Sequence, residues 1–465
     1  MRLFNTMTRT KEEVVPVNSG KIGIYTCGPT VYNKIHIGNF KTFLFEDILV
    51  RYLRYKGYDV TQVMNITDID DKTIRASREK KIPLSEVTEP FIGMFHNDRK
   101  ALHITDANFY PRATYYIPQM VGLVKKLLGK GVAYKASDNC IYYSIAKFPD
   151  YGKLAHLDTS SLMSGASGRN ASDEYEKDSV SDFALWKAWD ENDGTVFWET
   201  ELGKGRPGWH IECSAMSMEI LGETLDIHTG GIDNIFPHHQ NEIAQSEGAT
   251  GKPFCNYWAH SYHLMVDGAK MSKSLGNFYT LEDLVKKGVT PEMFRFFVVT
   301  NHYRTSLNYT DEAVRAAGKA RASLIEFVSR VRAIPDSKDS FDTKEVLDKM
   351  FAQFDEGMDD DLNTPVAIAA VFDATRALNK AIDDGQIGTA GREAILAAID
   401  RVNSVFAFME GSELEVPAEI QKLLDDRTNA RKNKDWAMSD KIRDDIAKLG
   451  YIVKDTPQGQ RVIKA

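Results

Sequence analysis

Cys27, His36, Lys270 and Lys273 are the residues of this chain whose types and settings could do chemistry, with His238 and Glu242 close behind. His36-Ile37-Gly38-Asn39 opens a helix, where backbone N–H groups and the dipole favour phosphate and Gly38 lets a flat ring approach the backbone. Lys270-Met271-Ser272-Lys273-Ser274, followed by Leu275-Gly276-Asn277, sets lysines and hydroxyls on a glycine-flanked loop suited to a polyphosphate. Each motif alone also fits a plainer role, a loop histidine beside a helix cap or a solvated basic loop. Pro237 suits the first position of a helix, which puts His238 and Glu242 one turn apart on one face, where they can grip one ion. His239 is a rival for the place of His238. Cys27, Cys140, Cys213 and Cys255 are widely spaced and make neither a zinc-finger pattern nor, in a reducing compartment, a disulfide framework. Cys140, inside a strand, reads as packing.

These residues need elements to hold them. Ile22 to Thr26 is a short apolar run that predicts a strand, and Phe43, Leu44, Ile48, Leu49, Tyr52 and Leu53 recur at helical steps over Phe40 to Lys56, predicting a helix with one buried stripe. Gly57 stops that helix, and Val60 to Ile66 reads as a second buried strand, so the unit is strand, helix, parallel strand. Open parallel sheets bind ligands beyond the carboxyl ends of their strands, where Cys27 and His36 fall. Gly205-Arg206-Pro207-Gly208 is a turn, a helix follows from Trp209, and Leu225 to His228 is a strand ending in Thr229-Gly230-Gly231. The lysine loop lies between a strand, Tyr262 to Val266, and a helix capped by Thr280.

The chain has 465 residues, enough for about three domains. Its net charge of -8 argues against indiscriminate nucleic-acid binding and leaves room for a local basic groove. No apolar run approaches the roughly 20 residues of a membrane span, and the opening MRLFNTMTRTKEE lacks the apolar core of a secretory signal, so a cytoplasmic, membrane-free protein is expected. Between Ala113 and Trp198 lies an insertion whose first part, through Lys135, reads as helix, with a strand at Cys140 to Ser144 and a loop-like stretch at Ser160 to Ser181. Asp311 to Met409 is helical by pattern. The last segment sets Arg427, Arg431, Lys432 and Lys434 before Trp436, a combination suited to phosphate contacts and base stacking as well as to a plain solvated face.

HIGN with KMSKS resembles the paired signatures of class I aminoacyl-tRNA synthetases. The runs Cys27-Gly28-Pro29-Thr30-Val31-Tyr32, Asn65 to Lys72 (NITDIDDK), Gly208 to Met216 (GWHIECSAM) and Phe236 to Glu242 (FPHHQNE) resemble, more narrowly, the cysteinyl-tRNA synthetases. The resemblance implies an α/β fold: a Rossmann-like parallel-sheet catalytic domain in two halves (1–112 and 199–262) split by a connective insertion (113–198). A KMSKS and stem-contact region (263–310), a helical bundle that reaches along tRNA (311–410) and a small α/β anticodon-binding domain (411–465) complete it. It implies that L-cysteine attacks the α-phosphate of ATP, with Mg²⁺ accompanying the nucleotide, and that tRNA(Cys) accepts the cysteine. Catalysis would fall to His36, Asn39, Lys270 and Lys273, and ATP binding to these with Gly38, Met271 and Ser272.

Cysteine would sit among Gly28, Thr67, Trp209 and His228, and the anticodon on Arg431, Trp436, Asp440 and Asp455. One Zn²⁺ would be held by Cys27, Cys213, His238 and Glu242, since a purely steric pocket separates cysteine from serine by only about 1–3 kcal/mol whereas zinc prefers thiolate. Asn39 departs from the usual histidine; its amide keeps two donors but loses any imidazole charge. Gln240 and Thr229 depart from Glu and Gly. Two rivals share this ancestry: a mycothiol-pathway-like ligase that passes cysteine to a small amine, and a non-catalytic zinc- or RNA-binding relative. A monomer is expected, because no segment demands self-association.

Overall fold

Short runs that end buried on both faces build the central sheet, as KIGIYT at Lys21–Thr26 illustrates, with Ile22, Ile24, Tyr25 and Thr26 buried. In the computed structural model, which describes residues 1–157, 169–170, 181–271, 276–409, 418–449, 451–456 and 459–464, four parallel strands run in the order Cys255–Ser261, Leu225–Gly231, Lys21–Thr26, Asp59–Met64. The expected strand–helix–parallel strand unit is therefore present at Lys21–Thr26, Ile37–Tyr55 and Asp59–Met64. Gly57, at φ +88°, makes the turn out of the helix that a side chain would resist.

The helix Ile37–Tyr55, called here the signature helix, opens at His36-Ile37-Gly38-Asn39 as expected, with His36 supplying the cap. It differs from expectation in its burial, which covers nearly every side from Phe40 to Val50, including Lys41, Thr42, Glu46 and Asp47, instead of one stripe. The cause is tertiary: the sheet covers one side, while the helices Pro291–Val299 and Thr389–Phe406 cover the other. One apolar core runs from Ile22 and Ile24 through Ile48 and Leu53 to Phe354, Val402 and Phe406 of the helical bundle.

Buried charge on that helix is paid for by specific partners. The Asp47 carboxylate accepts from Arg295 at 2.6 Å, from Arg51 at 2.9 Å and from the Thr105 N–H at 2.9 Å. Burial would raise its pKa, but the two guanidinium groups hold it below the ordinary carboxylate range. Arg51, Arg295 and Arg321 also donate to the carbonyls of Ser404, Phe406 and Phe408, which caps the end of the last bundle helix from three separate elements.

The insertion carries a sheet whose antiparallel path runs Ala133–Lys135, Ile141–Tyr143, Asp182–Ala188, Gly203–Pro207, Trp198–Thr200, with the short strand Arg169–Asn170 pairing parallel to Asp182–Ala188. Its helix ends at Gly129, and Ala133–Lys135, expected as helix, pairs with Ile141–Tyr143 as a strand. The sheet includes Gly203–Pro207, so the insertion closes just before the helix at Trp209. The loop-like stretch expected from Ser160 lies outside the described residues but for the strand Arg169–Asn170 and Ser181.

The expected strand at Tyr262 shortens to Leu264–Val266, which pairs with Ala269–Lys270 and Leu307–Tyr309. Four long helices, Asp311–Arg332, Thr343–Asp359, Thr364–Asp383 and Thr389–Phe406, form the bundle. Helices Ala418–Lys432 and Trp436–Lys448 with the hairpin Tyr451–Thr456/Gly459–Lys464 make a small module around Ile420, Leu424, Ile442, Ile446 and Val453. No helix among the described residues is long and apolar enough to cross a membrane.

Candidate active site and metal centre

A cleft of about 420 Å³ opens at the carboxyl ends of the sheet strands, between the start of the signature helix and the strand pair that carries Lys270. Its wall includes Cys27, Gly28, His36, Gly38, Asn39, Lys72, Trp209, Asp233, Lys270 and Met271. His36 is the N-cap of the signature helix: its Nδ1 accepts from the N–H groups of Gly38 at 3.1 Å and Asn39 at 3.3 Å. Those two amides, expected to be free for phosphate, are thus used by the imidazole. An Nδ1 that accepts leaves the ring proton on Nε2, the tautomer that donates to a phosphate oxygen. Gly38 is under the same constraint, since a Cβ there would meet Met271 Cε at 2.5 Å and His36 Nδ1 at 2.9 Å. Lys270 reaches Asp233 at 3.5 Å, both side chains well exposed. Ser272 and Lys273 lie outside the described residues.

The thiol of Cys27, at the end of its strand and partly open to the cleft, is the front of a cluster with His238, His239 and Glu242. One ligand atom from each lies within 4.8 Å of the others. His238 and Glu242 are one turn apart, as expected, with Nε2 and Oε1 separated by 3.1 Å. The route to that spacing is the expected one. Phe236 is extended, at φ -140° and ψ 135°, and is the one non-helical residue of Ile235–His239, so helical backbone starts at Pro237 and passes through one wide turn, with His239 and Gln240 at right-handed helical angles, into the α-helix Gln240–Thr250.

Each ring's far nitrogen is held by another side chain. His238 Nδ1 pairs with His210 Nδ1 at 3.0 Å, and His239 Nδ1 with His260 Nε2 at 2.8 Å, which continues to Thr6 Oγ1 at 2.7 Å. His239 Nε2 is 3.2 Å from Cys27 Sγ. The Glu242 Oε1, fully buried, has no hydrogen-bond partner among the described residues although His238 Nε2 is adjacent. Lone pairs converging without a shared proton are what a cation site presents. Burial holds both histidines neutral, His238 down to about 3 and His239 well below the usual value, which is the ligating form. Burial likewise pushes the Cys27 thiol well up, with Cys213 hydrogen-bonded to it, so the thiol stays protonated unless a cation is present.

Of the expected zinc ligands, Cys27, His238 and Glu242 come together and His239 joins them. Cys213, 1 % exposed, lies against Cys27 and outside the tightest group. Trp209 stacks on His238 at 4.3 Å and faces the cleft. His228 and Thr67 stand one layer behind the cleft wall: His228 Nε2 holds Glu242 Oε2 at 3.0 Å, and Thr67 links Asn65 and Glu212. The departures also have partners: Thr229 Oγ1 donates to Glu46, and Gln240 Oε1 accepts from the Leu154 N–H.

In the C-terminal module, Trp436 is 57 % exposed with the Arg431 guanidinium 5.8 Å from its ring centre. Asp440 pairs with Arg443 at 3.3 Å, and the side chain of Asp455 is outside the described residues. Sequence reasoning missed His260, Asp233 and the buried Lys41. No local pattern marks them, because each acts from a strand or helix distant in the chain.

Residues 13–319 match the family of class I (C) tRNA synthetase catalytic domains, residues 353–410 the DALR domain, and residues 414–462 the cysteinyl-tRNA ligase anticodon binding domain. A cysteine–tRNA ligase of Protochlamydia amoebophila is 47% identical over 100% of this chain and 98% of its own length. One of Chlamydia pneumoniae is 47% identical over 99% of this chain and 97% of its own. Among solved structures, a Mycobacterium tuberculosis methionyl-tRNA synthetase in complex with methionyl-adenylate has the same fold, with a TM-score of 0.62 at 14% identity over 87% of this chain and 94% of that one.

Proposed function

This chain belongs to the cysteinyl-tRNA synthetases, within the class I tRNA synthetases, and on that premise we propose that it activates L-cysteine with ATP and passes it to tRNA(Cys), telling cysteine from serine through a zinc ion. It is a ligase of the aminoacyl-tRNA synthetase kind. The observation that carries the finer reading is the convergence of the buried His238, His239 and Glu242 on Cys27, which lines the cleft that also holds His36 and Lys270.

His36 Nε2–H donates to a phosphate oxygen of ATP, and Lys270, with Lys273 and Ser272 beyond it in sequence, neutralises charge as pyrophosphate leaves, with Mg²⁺ accompanying the nucleotide. Gly38, Asn39 and Met271 shape the nucleotide side of the cleft. Gly28 and Trp209 frame the cysteine side chain, while His228 and Thr67 support that pocket from behind. Cys27, His238 and Glu242, with Cys213 or His239 completing the set, would hold the zinc. When bound, zinc supplies a preference for thiolate over alcohol that a steric pocket lacks. Arg431, Trp436, Asp440 and Asp455 are the anticodon-side residues, which supports tRNA over a small amine as the acceptor.

The test is cysteine-dependent ATP–pyrophosphate exchange before and after chelation, with serine as competitor, and tRNA charging by the full chain and by one truncated at about residue 410. Loss of cysteine activation on chelation, and loss of charging but not of exchange on truncation, are the expected results. Undiminished cysteine activation in metal-free protein would refute the zinc reading, and equal charging by the truncated chain would refute the anticodon assignment.

A further inference from the structure

Lys41 lies on the signature helix between Asn39 and Thr42, which line the cleft, yet it is itself 2 % exposed. Its ammonium donates to the Tyr262 carbonyl at 2.6 Å, the Tyr303 carbonyl at 3.0 Å and the Ser261 hydroxyl at 3.3 Å, so all three donors are used. None of these acceptors is charged, and burial without a counter-ion lowers its pKa from 10.5 to about 7. An apolar side chain of similar length would fill the same space without that desolvation. The three acceptors say what the charge is for. Ser261 and Tyr262 end the outer sheet strand and begin the segment Tyr262–Lys270, and Tyr303 precedes the strand Leu307–Tyr309 that flanks it. The Tyr262 N–H also donates to the Tyr303 carbonyl at 2.9 Å, and the Tyr303 ring stacks on Phe45 of the signature helix at 4.2 Å. Lys41 therefore ties the two chain crossings that carry Lys270 to the helix that carries His36.

We propose that Lys41 is a positioning residue for adenylate formation, setting the distance across the cleft between His36 and the strand pair that bears Lys270. This rests on the reading of His36 and Lys270 as nucleotide-contacting groups. Lys41 touches no substrate and acts through the Tyr262 and Tyr303 carbonyls. A shift of about 1 Å between groups that must act together costs about a hundredfold in rate. The interaction matters most as charge moves onto pyrophosphate, so kcat should carry the loss.

The experiment measures ATP–pyrophosphate exchange on the full chain, with active sites counted by single-turnover adenylate formation, for wild type, Lys41→Met, Lys41→Arg and His36→Ala. Lys41→Met is expected to lose about tenfold or more in kcat per active site with the KM for cysteine within about twofold, and Lys41→Arg to recover part of the loss. A merely structural lysine would lower the number of active sites and the melting temperature but leave kcat per site unchanged, and that result overturns the proposal. If Lys41→Met does not fold, Lys41→Gln carries the same test, a lowered kcat supporting and an unchanged kcat overturning it. Full exchange by His36→Ala would instead bring down the underlying reading; a dead His36→Ala beside a fully active Lys41→Met would remove the Lys41 role alone.

Discussion

Gly28 follows Cys27 at the point where the first sheet strand crosses Asn65, and its N–H donates to Asn65 Oδ1 at 2.9 Å. A Cβ built on Gly28 would stand 1.7 Å from the Asn65 carbonyl oxygen and 2.9 Å from its carbon, both backbone atoms that cannot rotate away. Real Cβ contacts stay beyond 3.0 Å, so in Gly28→Ala one chain must yield by more than 1 Å. The yielding chain is either the Cys27 strand or the Asn65–Thr67 segment behind the pocket. Displacing Cys27 by that much from His239 and Glu242 predicts a loss of about a hundredfold in kcat/KM for cysteine, with metal content falling in parallel. Steady-state exchange and metal analysis on the same preparation read both. Gly23→Ala is the control on the same strand, since its Cβ would meet Leu221 Cδ2 at 3.4 Å, an ordinary contact, and should keep activity. Gly28→Ala with near-normal activity and metal content would refute the claim that this crossing positions Cys27.

Glu242→Gln should leave the fold intact but reduce bound metal about 10–100-fold in affinity, read by competition with a chromogenic chelator, because the Oε1 aimed at the cluster loses its charge. Asp47→Asn should cost about 3–5 kcal/mol in denaturant unfolding, because Arg295, 2 % exposed, is left without its counter-ion. The same carboxylate gives a pH dependence. Its folded pKa lies below its unfolded value, so its contribution is present above about pH 4 and is lost as pH falls further, steepening acid unfolding in wild type relative to Asp47→Asn. Trp436→Ala should raise the KM for tRNA by about 1–3 kcal/mol of lost stacking while leaving cysteine-dependent exchange unchanged.

The strands at Lys21–Thr26 and Leu225–Gly231, the caps at Thr280 and Gly57 and the helical run from Asp311 follow from local rules: apolar runs of strand length, a capping hydroxyl, a glycine where φ is positive. The His238–Glu242 spacing was legible because Pro237, after the extended Phe236, opens a run of helical backbone that continues into Gln240–Thr250 and keeps the two side chains one turn apart. The outer face of the signature helix was not legible. Lys41, Glu46 and Asp47 look like a solvated face in sequence, and become buried because elements distant in the chain meet them: Ser261, Tyr262 and Tyr303 at Lys41, Thr229 of the sheet at Glu46, and Arg295 of Pro291–Val299 at Asp47.

What the sequence determined on its own is the set of residue types at short range: a thiol at a strand end, a histidine and glycine at a helix start, a histidine and glutamate one turn apart. Only the tertiary structure decided which of these meet. Parallel pairing of Leu225–Gly231 with Lys21–Thr26 and Cys255–Ser261 brings Cys27 to His239, and His239 to His260, over separations no local pattern encodes. The reason is physical: side-chain chemistry is fixed by residue type, whereas burial, the neutral state of a histidine and the partner of a lysine are set by what packs against them from elsewhere in the chain.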